Sequence, residues 1–168
     1  HKNQIHIVKA FAAIPIEIRD KYKLLFCGSG FVKENEKFLE LKNYISANKL
    51  SQEVLLLGRV SSSDLAYLFN NSFSIITASS YEGWSTVLEE SKAMKVKRLI
   101  VSDLAIHREQ LEDENVVWFE EGNIQDLERA IYETIINASQ KKQLDHLSQY
   151  KKHYMKYRNQ IISIALVD

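Results

Sequence analysis

The sequence predicts an α/β domain: a doubly wound parallel sheet with helices on both faces. Two observations predict it. Short apolar runs alternate along the chain with longer amphipathic segments, and strands alternating with helices build a parallel sheet. One run, Phe73-Ser-Ile-Ile-Thr77, passes through a small polar turn, Ala78-Ser-Ser80, and a short acidic loop into a helix. In open parallel sheets the crevice at such a hand-over is where ligands bind.

The elements follow in order. Residues 3–13 read as a helix with Ile5, Val8 and Ala12 on one face. Residues 22–27 are a strand, 33–48 a helix with Phe38, Leu41 and Ile45 inward, and 54–57 a strand. Ser61-Ser-Ser-Asp64 opens a helix that runs to about Phe69, because serine oxygens suit the N-cap. Residues 73–77 are a strand, 86–95 a helix, and 99–102 a strand followed by a short helix near Ile106. Residues 116–119 form a strand, and 124–137 a helix with Leu127, Ile131 and Ile135 inward and Tyr132 on its flank. Residues 140–162 read as a long helix whose stripe carries Leu144, Leu147, Tyr150, Tyr154, Tyr157 and Ile161.

Composition narrows the function classes. The 168 residues suit one domain with its own core. Twenty-two basic residues balance twenty-two acidic ones, so no global field draws the chain to nucleic acid or to a membrane surface. There is no signal peptide, no apolar run of transmembrane length and no internal repeat. The single cysteine, Cys27, excludes an internal disulfide framework and suits a reducing compartment; it ends an apolar strand, as a buried inert thiol does. His1, His6, His146 and His153 form no metal-ligand cluster, and His107 and Arg108 read as exposed helix residues. No nucleophile stands beside a base, so a Ser-His-Asp hydrolase has no support.

The chemistry concentrates in Tyr81-Glu-Gly-Trp-Ser-Thr-Val-Leu-Glu-Glu-Ser91. Glu82 and Gly83 sit where the strand gives way to the helix, and the free N–H groups of the first turn, from about Ser85 to Val87, favour a phosphate. Glu90 lies one turn on from Thr86, and helical side chains lean toward the N-terminus, so its carboxylate faces the same place. Amides that hold a phosphate between two carboxylates able to accept hydroxyl hydrogen bonds suit a nucleotide sugar. Gly28-Ser-Gly30 is not a dinucleotide fingerprint, because the third glycine would fall on Lys33.

Glu82-Gly-Trp-Ser-Thr-Val-Leu-Glu-Glu90 resembles the Glu, seven residues, Glu motif of retaining glycosyltransferases of the GT-B fold, chiefly glycosyltransferase family 4. Lys23-Leu-Leu-Phe-Cys-Gly-Ser-Gly30, Val54-Leu-Leu-Leu-Gly-Arg-Val60, Ser102-Asp-Leu-Ala-Ile-His-Arg-Glu109 and Glu120-Glu-Gly-Asn123 resemble the family's other motifs, in family order over about residues 2 to 138. The resemblance implies a Rossmann-like donor-binding domain over residues 1–138, the C-terminal half of a GT-B enzyme. Residues 139–168 would then be a C-terminal helix packing on that domain or on a missing N-terminal domain. It also implies a strand and a Gly-Arg turn ahead of Lys2-Asn3, central in the sheet. The expectation is therefore a sheet with its first strand missing.

The resemblance assigns roles residue by residue. Glu90 accepts hydrogen bonds from the donor ribose, and Glu82 contacts the transferred sugar or supports charge near its anomeric carbon. Thr86 and Val87 give backbone N–H groups to the diphosphate, Gly83 lets backbone approach it, and Lys2 pairs with it. Gly28 lies in the loop beside the nucleotide, and Arg59 and Val60 are candidate base contacts. Trp84 and Ser85 stand where the family carries phenylalanine and glycine or proline; Trp84 either shapes the sugar pocket or packs under the loop. Ser91-Lys-Ala-Met-Lys-Val-Lys-Arg98 lacks the family's glycine and proline, so the helix C-cap is expected to be unusual.

The implied activity is retaining transfer of a sugar, of the hexosyl type, from a nucleotide diphosphate sugar to a hydroxyl acceptor, a glycan or lipid-linked sugar, in surface polysaccharide or glycolipid synthesis. No cofactor and no obligatory metal is implied, because Lys2, an arginine expected ahead of His1 and the helix N-terminus neutralise the leaving diphosphate. The acceptor side belongs to the missing domain, so this chain alone is expected to bind donor without turning it over. The implied location is cytoplasmic, with the full protein at the inner face of the membrane. Two rivals remain: a nucleotide-sugar epimerase of the same fold, and a nonenzymatic sugar-nucleotide or glycan-binding module.

Overall fold

The computed structural model describes residues 1–28, 36–111, 115–140 and 160–167. The elements are α1 (Gln4–Ala13), α2 (Ile16–Arg19), β1 (Tyr22–Gly28), α3 (Glu36–Ala47), β2 (Val54–Gly58), α4 (Ser62–Asn71) and β3 (Ser74–Thr77). They continue with α5 (Thr86–Ala93), β4 (Leu99–Ser102), α6 (Ala105–Gln110), β5 (Val116–Phe119), α7 (Ile124–Gln140) and β6 (Gln160–Val167). The strands form one sheet in the order β2-β1-β6-β3-β4-β5, and every pair is parallel.

Period-two alternation puts successive side chains on opposite faces of the sheet. Leu24, Phe26, Ile76 and Ile100 face one way and pack with Ile7, Val8 and Phe11 of α1, Leu41 and Ile45 of α3, and Leu127 and Ile131 of α7. Leu25, Cys27, Ile75, Leu99 and Val101 face the other way and pack with Leu68 and Phe69 of α4 and Val87 and Leu88 of α5. Two cores on two faces are the doubly wound architecture that the alternation of strands and helices predicts. In α1 the buried face is Ile7, Val8, Ala10 and Phe11, whereas Ile5 and Ala12 lie at its edge. The expected face is thus rotated toward Phe11, the largest apolar side chain of the helix.

Two expectations need correction. The sheet has no gap, because β6 fills its centre. Tyr22–Gly28 pairs with Gln160–Val167 on one side, and Ser74 and Ile75 pair with Ser163 and Ile164 on the other. Residues 160–162 are therefore strand and not the end of a helix; the rest of that expected helix, 141–159, lies outside the described residues apart from Gln140, which ends α7. The physical reason is hydrogen bonding. A parallel sheet split at its centre would leave two rows of backbone donors and acceptors unpaired, and an eight-residue strand that is apolar at all but two positions, Gln160-Ile-Ile-Ser-Ile-Ala-Leu-Val167, pairs with both sides.

The expected irregular end of α5 is a Schellman motif with lysine in the glycine position. Lys95 has φ 53°. Its N–H donates to Lys92 O at 3.0 Å and that of Val96 to Ser91 O at 2.9 Å. α3 ends in the same way around Lys49, φ 57°, with Lys49 N–H to Ser46 O at 3.0 Å and Leu50 N–H to Ile45 O at 2.9 Å.

Candidate functional site

The carboxyl ends of the strands form one edge of the sheet, and the residues singled out in the sequence gather there in two groups. On one side stand Gly28, which ends β1, and Arg59 and Val60, which follow β2; the residue pair Cys27 and Gly58 brings these ends together. Arg59 is exposed, and Val60 is half-buried against the core. Ser29 and Gly30 of the same loop lie outside the described residues. On the other side stand Lys2 and the segment from Ser79 to Glu90, beyond β3. β6 runs between the two groups, with Val167 level with Gly28. Arg59 and Glu82 are therefore kept apart by β1 and β6.

The segment before α1 is sewn to the loop after β3. Asn3 takes a left-handed conformation, φ 50°, and its Nδ2 donates to Ala78 O at 2.9 Å. Ser80 N–H donates to His1 O at 2.8 Å. These bonds set Lys2 Nζ 2.8 Å from Glu82 Oε1, and Ser79 Oγ donates to the same carboxylate oxygen at 2.7 Å. Both charged side chains are largely buried, 16% and 10% exposed. Burial pushes the Glu82 carboxyl up, but the hydrogen bonds from Lys2 and Ser79, the charge of Lys2 and the smaller influence of His107 outweigh it and hold it below the ordinary carboxylate range. Sequence reasoning placed Lys2 on a diphosphate and Glu82 on a sugar; the structure pairs the two directly, so a ligand that takes the Lys2 ammonium shares it with Glu82.

His107 is a correction. It is fully buried, not exposed. Its Nδ1 lies 2.8 Å from Ser102 O, which can only accept, so Nδ1 carries the proton. Ser102 Oγ in turn donates to Ser79 O at 2.7 Å. The imidazole thus braces the turn that carries Ser79 and Glu82, and its Nε2 is buried without a hydrogen-bond partner. Arg108 is exposed as expected; it makes a two-pronged pair with Asp103 at 2.7 and 2.9 Å and lies 3.9 Å over the Trp118 ring.

α5 begins at Thr86 with Ser85 in the N-cap position, φ −81° and ψ 110°, yet Ser85 makes no capping hydrogen bond. Its Oγ is buried and without a partner. Its N–H is not free, as the sequence suggested, but donates to Gln110 Oε1 at 3.0 Å. The first bond within the helix is Glu89 N–H to Ser85 O, 3.2 Å. The amides of Thr86, Val87 and Leu88 precede it, and no side chain caps them. Gly83 faces open space, where a Cβ would meet nothing within 4 Å. Tyr81 and Trp84 beside it are 74% and 51% exposed, so Trp84 does not pack under the loop. Glu90 is half-buried one turn on from Thr86.

The arrangement offers a helix N-terminus with uncapped amides at the switch point of the sheet, a buried lysine–glutamate pair beside it and a glycine leaving room above it. Such a site takes an anion, phosphate above all. Sequence reasoning missed Ser79, His107 and Gln110, whose roles rest on contacts between separate loops. Cys27 is buried, and burial pushes its thiol up to about 12, which leaves it inert. Among the described residues no helix is long and apolar enough to cross a membrane.

The family described as glycosyl transferases group 1 matches the chain over residues 1–154. No curated protein matches the sequence. Among solved structures the chain is similar to Alr3699/HepE of Anabaena in complex with UDP-glucose, with a TM-score of 0.70 and 22% identity over 83% of this chain and 37% of that one. The same protein in complex with UDP matches with a TM-score of 0.67 at 22% identity over 83% and 37%. Sucrose-phosphate synthase (tll1590) from Thermosynechococcus elongatus matches with a TM-score of 0.67 at 18% identity, over 82% of this chain and 34% of that one. The chain spans about a third of the length of these proteins. At such identities the likeness is one of fold, the parallel sheet with flanking helices of GT-B glycosyltransferases.

Proposed function

The chain belongs to the glycosyl transferases of group 1, and on that footing we propose that its crevice binds a nucleotide diphosphate sugar. The diphosphate takes the amides of Thr86 and Val87 and the Lys2 ammonium. Glu90 accepts from the ribose hydroxyls, Gly28, Arg59 and Val60 border the base, and Glu82, with Gly83, Trp84 and Ser85, borders the sugar. The observation that carries the reading is an N-cap serine that does not cap, beside the Lys2–Glu82 pair. The reaction is transfer of a hexosyl group to a hydroxyl acceptor with retention at the anomeric carbon. Charge that develops on the leaving diphosphate meets fixed amides and a cation already in place, so the reading requires neither metal nor cofactor. A further domain supplies the acceptor, and the whole protein serves surface polysaccharide or glycolipid synthesis at the inner face of the membrane.

The test is a ligand-observed NMR screen of the chain against UDP, GDP, ADP and their common sugar conjugates, with Glu90→Gln alongside. UDP comes first, since the similar Anabaena structures hold UDP and UDP-glucose. One nucleotide series binding, and binding at least tenfold more weakly to Glu90→Gln (about the loss of one charge-assisted hydrogen bond), is the expected result. Binding of free glycan that survives Lys2→Met, with no nucleotide bound, would replace the reading by that of a glycan-binding module. His107 does not favour an epimerase, since its ring is sealed behind Ser102 and Ser79.

A further inference from the structure

Gln110 is the last residue of α6, a helix of six residues. A helix that short does not hold itself in place, so side-chain ties set its position: Arg108 to Asp103, His107 to Ser102, and Gln110 to the loop ahead of α5. Gln110 is 5% exposed, and all of its polar capacity is spent in one direction. Oε1 accepts from Ser85 N–H at 3.0 Å, and Nε2 donates to Ser85 O at 3.2 Å and to Glu89 Oε1 at 3.1 Å. An N–H on one side and a carbonyl and a carboxylate on the other fix which way the amide points. It pairs with the Ser85 main chain as a neighbouring strand would. The return tie is Lys92 Nζ of α5, which donates to Gln110 O at 3.2 Å.

A side-chain cap normally orders the first turn of a helix, and Ser85 gives none. Order must come from elsewhere, or the Thr86 and Val87 amides would scatter. Gln110 supplies it from outside the helix without touching those amides, and by taking the Ser85 N–H it leaves only the amides beyond Ser85 to a ligand. We infer that Gln110 is the positioning residue of the phosphate site: it replaces the missing cap, holding the start of α5 aimed while leaving its amides open. This inference rests on the donor-site reading above.

The test compares wild type, Gln110→Met and Gln110→Asn, each as the full chain. Methionine keeps the volume and removes all three bonds; asparagine keeps a neutral amide that stops one carbon short of the Ser85 main chain. The probes are the nucleoside diphosphate selected by the screen, UDP first, and its parent nucleoside. A structural fault would weaken both alike. The expected result is a loss of about tenfold in diphosphate affinity for Gln110→Met, about the worth of one charge-assisted hydrogen bond, with nucleoside affinity unchanged and Gln110→Asn losing no more than Gln110→Met. Amide exchange of Ser85 should rise in the methionine variant. Equal losses for both probes, or none, would overturn the inference while the donor-site reading stands. If wild type binds neither probe, the donor-site reading fails and takes this one with it. Should Gln110→Met not fold, Gln110→Asn carries the same comparison.

Discussion

Two of the described helices start with serine in the N-cap position, and they start differently. Ser61, ahead of α4, is exposed, and its Oγ accepts from Asp64 N–H at 3.1 Å. Ser85, ahead of α5, is buried; its Oγ has no partner, and its main chain is held by Gln110 from another helix. The residue type and the place in the helix are the same. What differs is the place along the carboxyl edge of the sheet: Ser61 stands exposed after the outermost strand β2, and Ser85 is buried after the inner strand β3. A helix start that closes on itself is structural, and one that is kept open by remote side chains is available to a ligand. The carboxyl end of α5 is not peculiar to it, since α3 shares its Schellman motif around a lysine, while α4 stops at the extended Ser72.

The strongest way to break this comparison is to delete one amide from each helix. Proline at the first helical position removes an N–H and keeps the helix, and the extended Ser61 and Ser85 backbones tolerate a following proline. Thr86→Pro should weaken nucleoside diphosphate binding about tenfold, the worth of a charge-assisted hydrogen bond. Ser62→Pro should leave binding unchanged. Calorimetric titration of both reads the difference, and equal affinities would end the case for the α5 amides.

Next in size is the cap itself. Ser61→Ala should cost about 1 kcal/mol of stability in urea unfolding. Ser85→Ala should change stability by no more than about 0.3 kcal/mol, because removal of an unpaired buried hydroxyl is nearly neutral. A loss at Ser85 as large as that at Ser61 would mean that it caps after all.

The smallest effect lies at the other end of α5. Lys95→Gly should stabilise the chain by about 0.5 kcal/mol, the relief of a left-handed lysine set against the greater freedom of glycine in the unfolded chain. Nucleotide affinity should not move. A change in affinity would show that the two ends of α5 are coupled, and would blur the comparison.

Much of this was legible along the chain because it depends on neighbours in sequence. The strands of residues 99–102 and 116–119 fall where the apolar runs lie, the Ser61 cap needs only Asp64, and Glu82 to Glu90 sit on one hand-over from β3 to α5. The left-handed turns of the lysines at 49 and 95 were not legible, although the helix ends beside them were, because the usual signal is glycine and the fold forced another residue into its conformation. β6 was hidden differently. Ile161 continued the helical stripe of the tyrosines, while the β-branched residues Ile161, Ile162, Ile164 and Val167 carried the strand signal that decides a short apolar run.

The sequence by itself determined the alternation of strand and helix, the two-faced apolar pattern of the sheet and the acidic, glycine-bearing start of α5, since each is a property of residues a few positions apart. Only the tertiary structure decided that the last strand enters the centre of the sheet, that Lys2 meets Glu82 across eighty positions, and that His107 and Gln110 turn inward to hold the loop between them. The physical reason is that a buried polar group must find its partner in space. A sequence shows which groups seek partners, and the packed sheet shows which they find.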